Sequence, residues 1–164
     1  IHTQPRPSWP HALAGSALGG DRAGSLQQGR GGPGGWWIID EPELHFVRDI
    51  EVDVPELAGW RRERMPHPPR SPRVTVVPDW VCEILSRSTE SKDREIEMPI
   101  YARYGAAYAW LVDLLKRTLE AYALTSGDWR EVGCFAGGDR VSVAPFDAIA
   151  IDLADLWMPE EDEC

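Results

Sequence analysis

The amino-acid sequence predicts an α/β fold, a mixed central β-sheet with at least one helix on a face. Three observations carry that expectation. Residues 80–85 (WVCEIL) and 108–112 (YAWLV) have the apolar, aromatic and β-branched character of buried strands. Between them a polar stretch, SRSTESKDRE (86–95), leads into a helix that runs to about Tyr104 and stops at Gly105. A strand–helix–strand crossover is the connection that parallel neighbours need. Beyond it, 118–124 and 129–135 alternate as strands around the turn Ser126-Gly127-Asp128, which predicts an antiparallel C-terminal meander.

Length and composition set the frame. The 164 residues, 43% of them apolar, suffice for one domain with its own core. Lys and Arg number 17 against 27 Asp and Glu, a formal charge of −10. That balance excludes a general basic coat for nucleic acid, yet leaves room for an enzyme whose basic groups are local. No apolar run approaches membrane-span length, so no membrane partner is expected. Cys82, Cys134 and Cys164 are odd in number and widely spaced, with no CxxC or paired His. They predict neither a disulfide framework nor a zinc site, and point to a reducing compartment, the cytoplasm. The chain opens on Ile-His-Thr rather than on a signal peptide, as though residues preceded it.

Along the chain, HALAGSALGG (11–20) predicts a short helix with Leu13, Ala17 and Leu18 inward, ended by Gly19-Gly20. GRGGPGG (29–35) predicts a loop; it lacks the GK[ST] ending of a phosphate-cradling loop, and no strand precedes it. Trp36 to Ile39 suggests a short strand or an apolar turn. In 49–54 the acids and the apolar Ile50, Val52 and Val54 alternate, and 55–60 is expected to extend that strand after a kink at Pro55. Residues 61–73, RRERMPHPPRSPR, carry five Arg and four Pro, so an exposed basic loop is expected. It is either a solvated loop or a phosphate-contacting arm built on Arg61, Arg62 and Arg64. Short strands are expected at 74–77, 141–143 and 149–151, Trp80 and Trp110 are assigned to the core, and Pro99 predicts a kink or a late start of its helix.

The chemistry turns on Glu83, in the middle of an apolar strand. An unpaired buried carboxylate is costly, so Glu83 pairs with an Arg, faces water, or shares a cation with a second acid. On its strand Asp79 shares its face, but at four residues' remove, about 13 Å, too far for one ion. Glu56, which follows Pro55 in otherwise apolar surroundings, is the best partner. Two such carboxylates repel unless a cation lies between them, and Mg²⁺, oxygen-seeking and content with one or two carboxylates plus water, fits best. His11 is a further site candidate; Asp113 is expected to cap a turn. Ser86, Ser88 and Thr89 lack the His and Asp that nucleophilic catalysis needs.

PDWVCEILSRST (78–89), then Asp93, IYARYGAAYAWLVD (100–113) and LEAYAL (119–124) together resemble the Uma-type family of bacterial restriction endonucleases. PELAGWRRERMP (55–66), the opening IHTQPRPSWPHALAGSAL (1–18) and the closing DAIAIDLADLW (147–157) resemble it too, so the likeness covers nearly the whole chain as a single domain, 1–164, without the family's N-terminal helix and strand. The resemblance implies a restriction-endonuclease-like core of the PD-(D/E)xK type, with helices flanking the sheet. It implies DNA as substrate, Mg²⁺ (or Mn²⁺) as cofactor, and two carboxylates with a Lys beside them. Glu56 stands at the family's PD Asp and Glu83 at the second carboxylate. The Lys expected two residues later is Leu85, and the family's displaced Lys position, four residues after Asp93, is Glu97. Lys92 is the candidate to replace that cation. A catalytically degenerate protein with a binding or structural role is the alternative that Glu97 keeps open. A homodimer would suit cutting of both strands of a duplex.

Overall fold

The computed structural model describes residues 9–22, 34–48 and 50–157, with side chains from 13–19 in the first helix. Helix α1 spans Trp9–Arg22. Strand β1 (Trp36–Asp40) and β2 (Glu43–Val47) follow, then β3 (Glu51–Asp53), β4 (Leu57–Arg61), β5 (Arg73–Val74) and β6 (Trp80–Leu85). A continuous helical run, α2, begins at Glu90–Lys92, widens to a π-helical turn over Asp93–Glu97, and ends as α-helix over Met98–Tyr104. Strands β7 (Tyr108–Asp113), β8 (Thr118–Thr125) and β9 (Asp128–Ala136), the short pair β10 (Arg140–Val141) and β11 (Ile151–Asp152), and a 3₁₀ turn at Leu153–Leu156 complete the chain.

The main sheet has six strands in the order β1-β4-β6-β7-β8-β9. Strands β6 and β7 pair in parallel, with Glu83 opposite Leu111. The other pairs are antiparallel. This is the predicted mixed sheet: α2 crosses over from β6 to β7, and the meander β7-β8-β9 follows. The β8–β9 hairpin turns through Ser126 and Gly127, both at positive φ, the two-residue geometry whose twist matches the flanking strands. A second sheet, β3-β2-β5, stands apart from the first.

The sheet separates two apolar clusters. On one face Trp36, Ile38, Leu57, Trp80, Cys82, Ile84, Trp110 and Leu119 pack with Ala14 and Leu18 of α1 and with Phe146, Leu153 and Leu156 from the C-terminal segment. On the other face Ala58, Val81, Leu85, Ala109 and Leu111 meet Met98 and Tyr101 of α2 and Leu44 of β2. Trp80 and Trp110 are fully buried, as expected. Trp110 stands edge-on to Trp80 at 5.4 Å and its Nε1 donates to Ala144 O at 3.0 Å. Trp110→Ala should therefore cost about 3–5 kcal/mol, read as a lower midpoint in urea unfolding. Gly59 sits where β1, β4 and β6 come closest: a Cβ there would stand 3.0 Å from Ile38 Cδ1 and 3.2 Å from the rings of Trp36 and Trp80.

Several expectations are corrected. Helix α1 runs through Gly19-Gly20 to Arg22, and its fully buried positions are Ala14 and Leu18, with Leu13 and Ala17 partly buried. Residues 49–60 are not one kinked strand. Strand β3 belongs to the small sheet and β4 to the large one, with Val54-Pro55-Glu56 between them. Ahead of β3 Ile50 is 83% exposed, and on β3 Val52 is exposed whereas Asp53 turns inward, so here the apolar residues take the outer side. Strand β2 carries no clear alternation and was not foreseen. The expected strand at 74–77 shrinks to β5. Pro99 does not delay the helix. The ladder widens directly ahead of it, Met98 N–H reaching Asp93 O, where a tight α-helix would drive the proline ring against the Glu95 carbonyl. Gly105 stops the helix at φ 84°, as expected. The side chain of His11, most of GRGGPGG and Cys164 lie outside the described residues.

Candidate functional site

Glu83 points from the middle of β6 toward α2 and is 5% exposed. It meets a stripe on that helix. Asp93, Glu97 and Tyr101 recur at four-residue spacing, so successive turns present them to the same side. Oxygens of Glu83, Asp93 and Glu97 all lie within 4.8 Å of one another, and all three residues are buried. Tyr101, wholly buried, donates its hydroxyl hydrogen to Glu83 Oε1 at 2.5 Å. From the small sheet Asp53 reaches the same place and hydrogen-bonds Glu97.

Local structure explains how these side chains are held. Ser86 and Thr89 close the turn after β6 with Ser86 N–H to Thr89 Oγ1 at 3.0 Å and Thr89 N–H to Ser86 O at 3.2 Å, which starts α2 one turn before Asp93. Arg94 fastens the helix to the sheet. Its guanidinium grips both Glu120 oxygens on β8, at 2.8 and 3.2 Å, and Glu90 at 3.1 Å. A bidentate fork of this kind fixes orientation as well as distance. On the other flank Tyr104 donates to Glu51 of β3, and Phe46 of β2 stacks on Tyr104 at 4.7 Å. Asp53 is thereby carried to Glu97.

Crowding of like charge in a dry place decides the protonation. Burial, then the charges of Glu97 and Asp93, push the Glu83 carboxyl well above the ordinary glutamate range, while the Tyr101 hydrogen bond pulls it down. Burial and Glu97 raise Asp93 to about 7, and burial and Glu97 likewise raise Asp53 to about 7. Shared protons or a cation are the two ways such a group relieves its repulsion. One cation is already at its edge: Lys92 Nζ lies 3.3 Å from Glu97 Oε1, on a largely exposed side chain, and the Glu97 charge raises the ammonium's pKa.

Of the residues singled out from the sequence, Glu83 and Lys92 come together here. Glu56 is not among the three clustered acids. Half-buried just ahead of β4, it bears electrostatically on Asp40 and on Cys82, whose side chain points to the α1 face, away from Glu83. Because the chain passes from one sheet to the other between Asp53 and Glu56, it is Asp53 that reaches Glu97. Asp53, Asp93 and Tyr101 were not singled out as site residues. The four-residue spacing on α2 is the signal for Asp93 and Tyr101, and the alternation of acids with apolar residues along 50–54 is the signal for Asp53.

The arginines gather elsewhere. Arg61 N–H donates to Asp79 Oδ2 at 2.8 Å and its guanidinium lies over Trp36. Arg62 lies over Trp37 at 4.0 Å. Arg64 pairs with Asp79 Oδ1 at 2.9 Å and donates to Val77 O. Asp79 is four residues back along the chain from Glu83, about 13 Å, so this basic turn lies at the start of β6 and the acids farther along it. Asp113 accepts from Leu115 N–H and Lys116 N–H at 3.0 Å each and shapes the turn after β7, as expected. Cys82 is buried and Cys134 exposed, both with free thiols. Among the described residues no helix is long and apolar enough to cross a membrane.

Comparison with known proteins agrees with this architecture. A solved structure titled as a "putative nuclease belonging to DUF820 from Anabaena variabilis" superposes with a TM-score of 0.72 at 19% identity, covering 94% of this chain and 84% of that one. No curated protein matches. The family model described as "Uma2: Putative restriction endonuclease" matches residues 5–154, and on that evidence the chain belongs to the Uma2 family.

Proposed function

We propose that the protein is a divalent-metal-dependent nuclease that hydrolyses phosphodiester bonds of DNA. The single observation that supports this most is the trio of buried carboxylates, Glu83, Asp93 and Glu97, within 4.8 Å of one another. Their donor chemistry suits the ion that the family implies. All the oxygens are hard, among the described residues none is paired with an arginine and no thiol shares the site, and the raised pKa values mark a group short of positive charge. Mg²⁺ or Mn²⁺ matches such ligands. Glu83, Asp93 and Glu97 would hold it, with Asp53 behind Glu97; Glu56 would join them from the position ahead of Leu57, which pairs with Cys82, the residue before Glu83. A bound ion supplies activation of water and charge neutralisation at the scissile phosphate.

The chain's own groups do the rest. Tyr101 and the Arg94 fork keep Glu83 and α2 in place. Lys92 stands at the rim as the water-orienting cation, its reach to Glu97 making up for the carboxylate at the family's displaced lysine position. Arg61, Arg62 and Arg64, each still partly exposed, offer phosphate contacts along the strand away from the acids. The expected result is nicking of supercoiled plasmid with Mg²⁺ or Mn²⁺ and none with EDTA. Open circles alone indicate single copies at work, and linear product indicates a homodimer cutting both strands.

A second reading, a degenerate nuclease fold that binds without cutting, is favoured by Glu97, which puts a third buried negative charge where the family has a cation. Glu97→Lys separates the two. Nicking by the native protein supports the enzyme; nicking only after Glu97→Lys identifies a damaged site.

A further inference from the structure

Tyr101 holds Glu83 in place, and the contact by which it does so is short and buried. Its hydroxyl sits 2.5 Å from Glu83 Oε1, at the short end of hydrogen bonds to carboxylate. Its ring is immobilised. It is fully buried, lies on the inner face of α2, and meets Phe46 edge-on at 6.1 Å. A phenol carries its proton at neutral pH, so it remains a donor. The hydroxyl therefore already takes one lone pair of Oε1 and crowds that oxygen, leaving Oε2 as the more open ligand before any ion arrives.

We propose that Tyr101 is a positioning residue that restricts Glu83 to one oxygen, Oε2, and so sets the metal preference of the site toward a small cation. The inference rests on the metal-binding reading above. Its physical basis is the difference between the two common hard cations. Mg²⁺ demands six ligands in near-octahedral array at short distance and takes carboxylates by a single oxygen, whereas Ca²⁺ accepts seven or eight ligands and readily takes both oxygens of one carboxylate. The three clustered acids, Glu83, Asp93 and Glu97, offer six oxygens and, with waters, would suit Ca²⁺ if every carboxylate were free to chelate. The tyrosine removes that option at Glu83, the acid that comes from the rigid central strand. Groups that orient a ligand in this way commonly change metal affinity by about 10–100-fold when removed.

The test uses calorimetric titration of Mg²⁺ and Ca²⁺ into the wild type, Tyr101→Phe and Glu83→Gln. Tyr101→Phe keeps the ring and frees Oε1. The expected result is a shift of the Mg²⁺ to Ca²⁺ affinity ratio toward Ca²⁺ by about 10-fold, a change that mere loosening of the fold would not produce, since it weakens both ions alike. An unchanged ratio overturns the proposal. Infrared difference spectra of the wild type give a measurement that needs no folded Tyr101 variant. Addition of Mg²⁺ should produce the widely split carboxylate stretches of single-oxygen coordination, with the component that disappears in Glu83→Gln among them; a narrowly split, two-oxygen component that disappears in Glu83→Gln overturns the proposal. If the wild type binds neither ion, the metal-binding reading fails first, before any statement about Tyr101 is tested.

Discussion

Glu83→Gln should reduce metal-dependent plasmid nicking by about 10²–10³-fold, while the protein itself becomes no less stable at pH 8. The two halves of this expectation have one cause. Glu83 is buried among acids, so its charge is a liability to the fold and an asset only when a cation is present. Gln keeps the volume, and its amide oxygen still accepts from Tyr101, so the Tyr101 hydroxyl is not stranded. What is lost is the negative charge from the central strand. Rates of conversion of supercoiled to open-circular DNA, taken beside thermal midpoints, check both halves. A variant that nicks as fast as the wild type removes Glu83 from the chemistry. A variant that loses activity together with its fold leaves the loss attributable to packing and contradicts the account of the site's electrostatics.

In EDTA, the native protein should lose stability as pH rises from about 4 to above 7. Asp53 and Asp93 have pKa values raised to about 7 in the folded state against 3.8 when unfolded. Between those values the native state holds protons that the unfolded chain has released. Stability from these groups is thus full below about 4 and declines as pH passes through 7. Their coupling and partial access to water limit the total to about 2 kcal/mol, or about 4–8 °C in melting temperature for a chain of this size. The charge of Glu97 is a leading cause of both shifts, so Glu97→Gln should flatten this decline, and the difference between the two melting curves isolates the cluster from the other carboxylates. Saturating Mg²⁺ or Mn²⁺ should restore the native protein at pH 8 and have little effect at pH 5, where protons already neutralise the acids. A wild-type decline that survives unchanged in Glu97→Gln would show that the pH dependence originates elsewhere.

The sequence by itself determined the elements whose signal is local. The apolar strands around Trp80 and Trp110, the hairpin at Ser126-Gly127, the stop at Gly105 and the crossover between β6 and β7 all follow from side-chain period and turn chemistry within a few residues. It also identified Glu83, because a carboxylate amid WVCEIL needs an explanation, and Lys92, because it flanks Asp93. The partners of Glu83 were decided only by tertiary structure. Glu56 is the partner that the spacing suggests, yet the chain changes sheets between Asp53 and Glu56, and it is Asp53, from the small sheet, that meets Glu97. The arginines of 61–64 are basic in sequence, but Asp79 and the indoles of Trp36 and Trp37 hold them at the start of β6. Helical spacing could place Asp93, Glu97 and Tyr101 on one stripe; that the stripe faces Glu83 depends on how α2 docks. Local patterns fix which face of an element is polar, whereas the meeting of two polar faces depends on long-range packing, which no short window of sequence encodes.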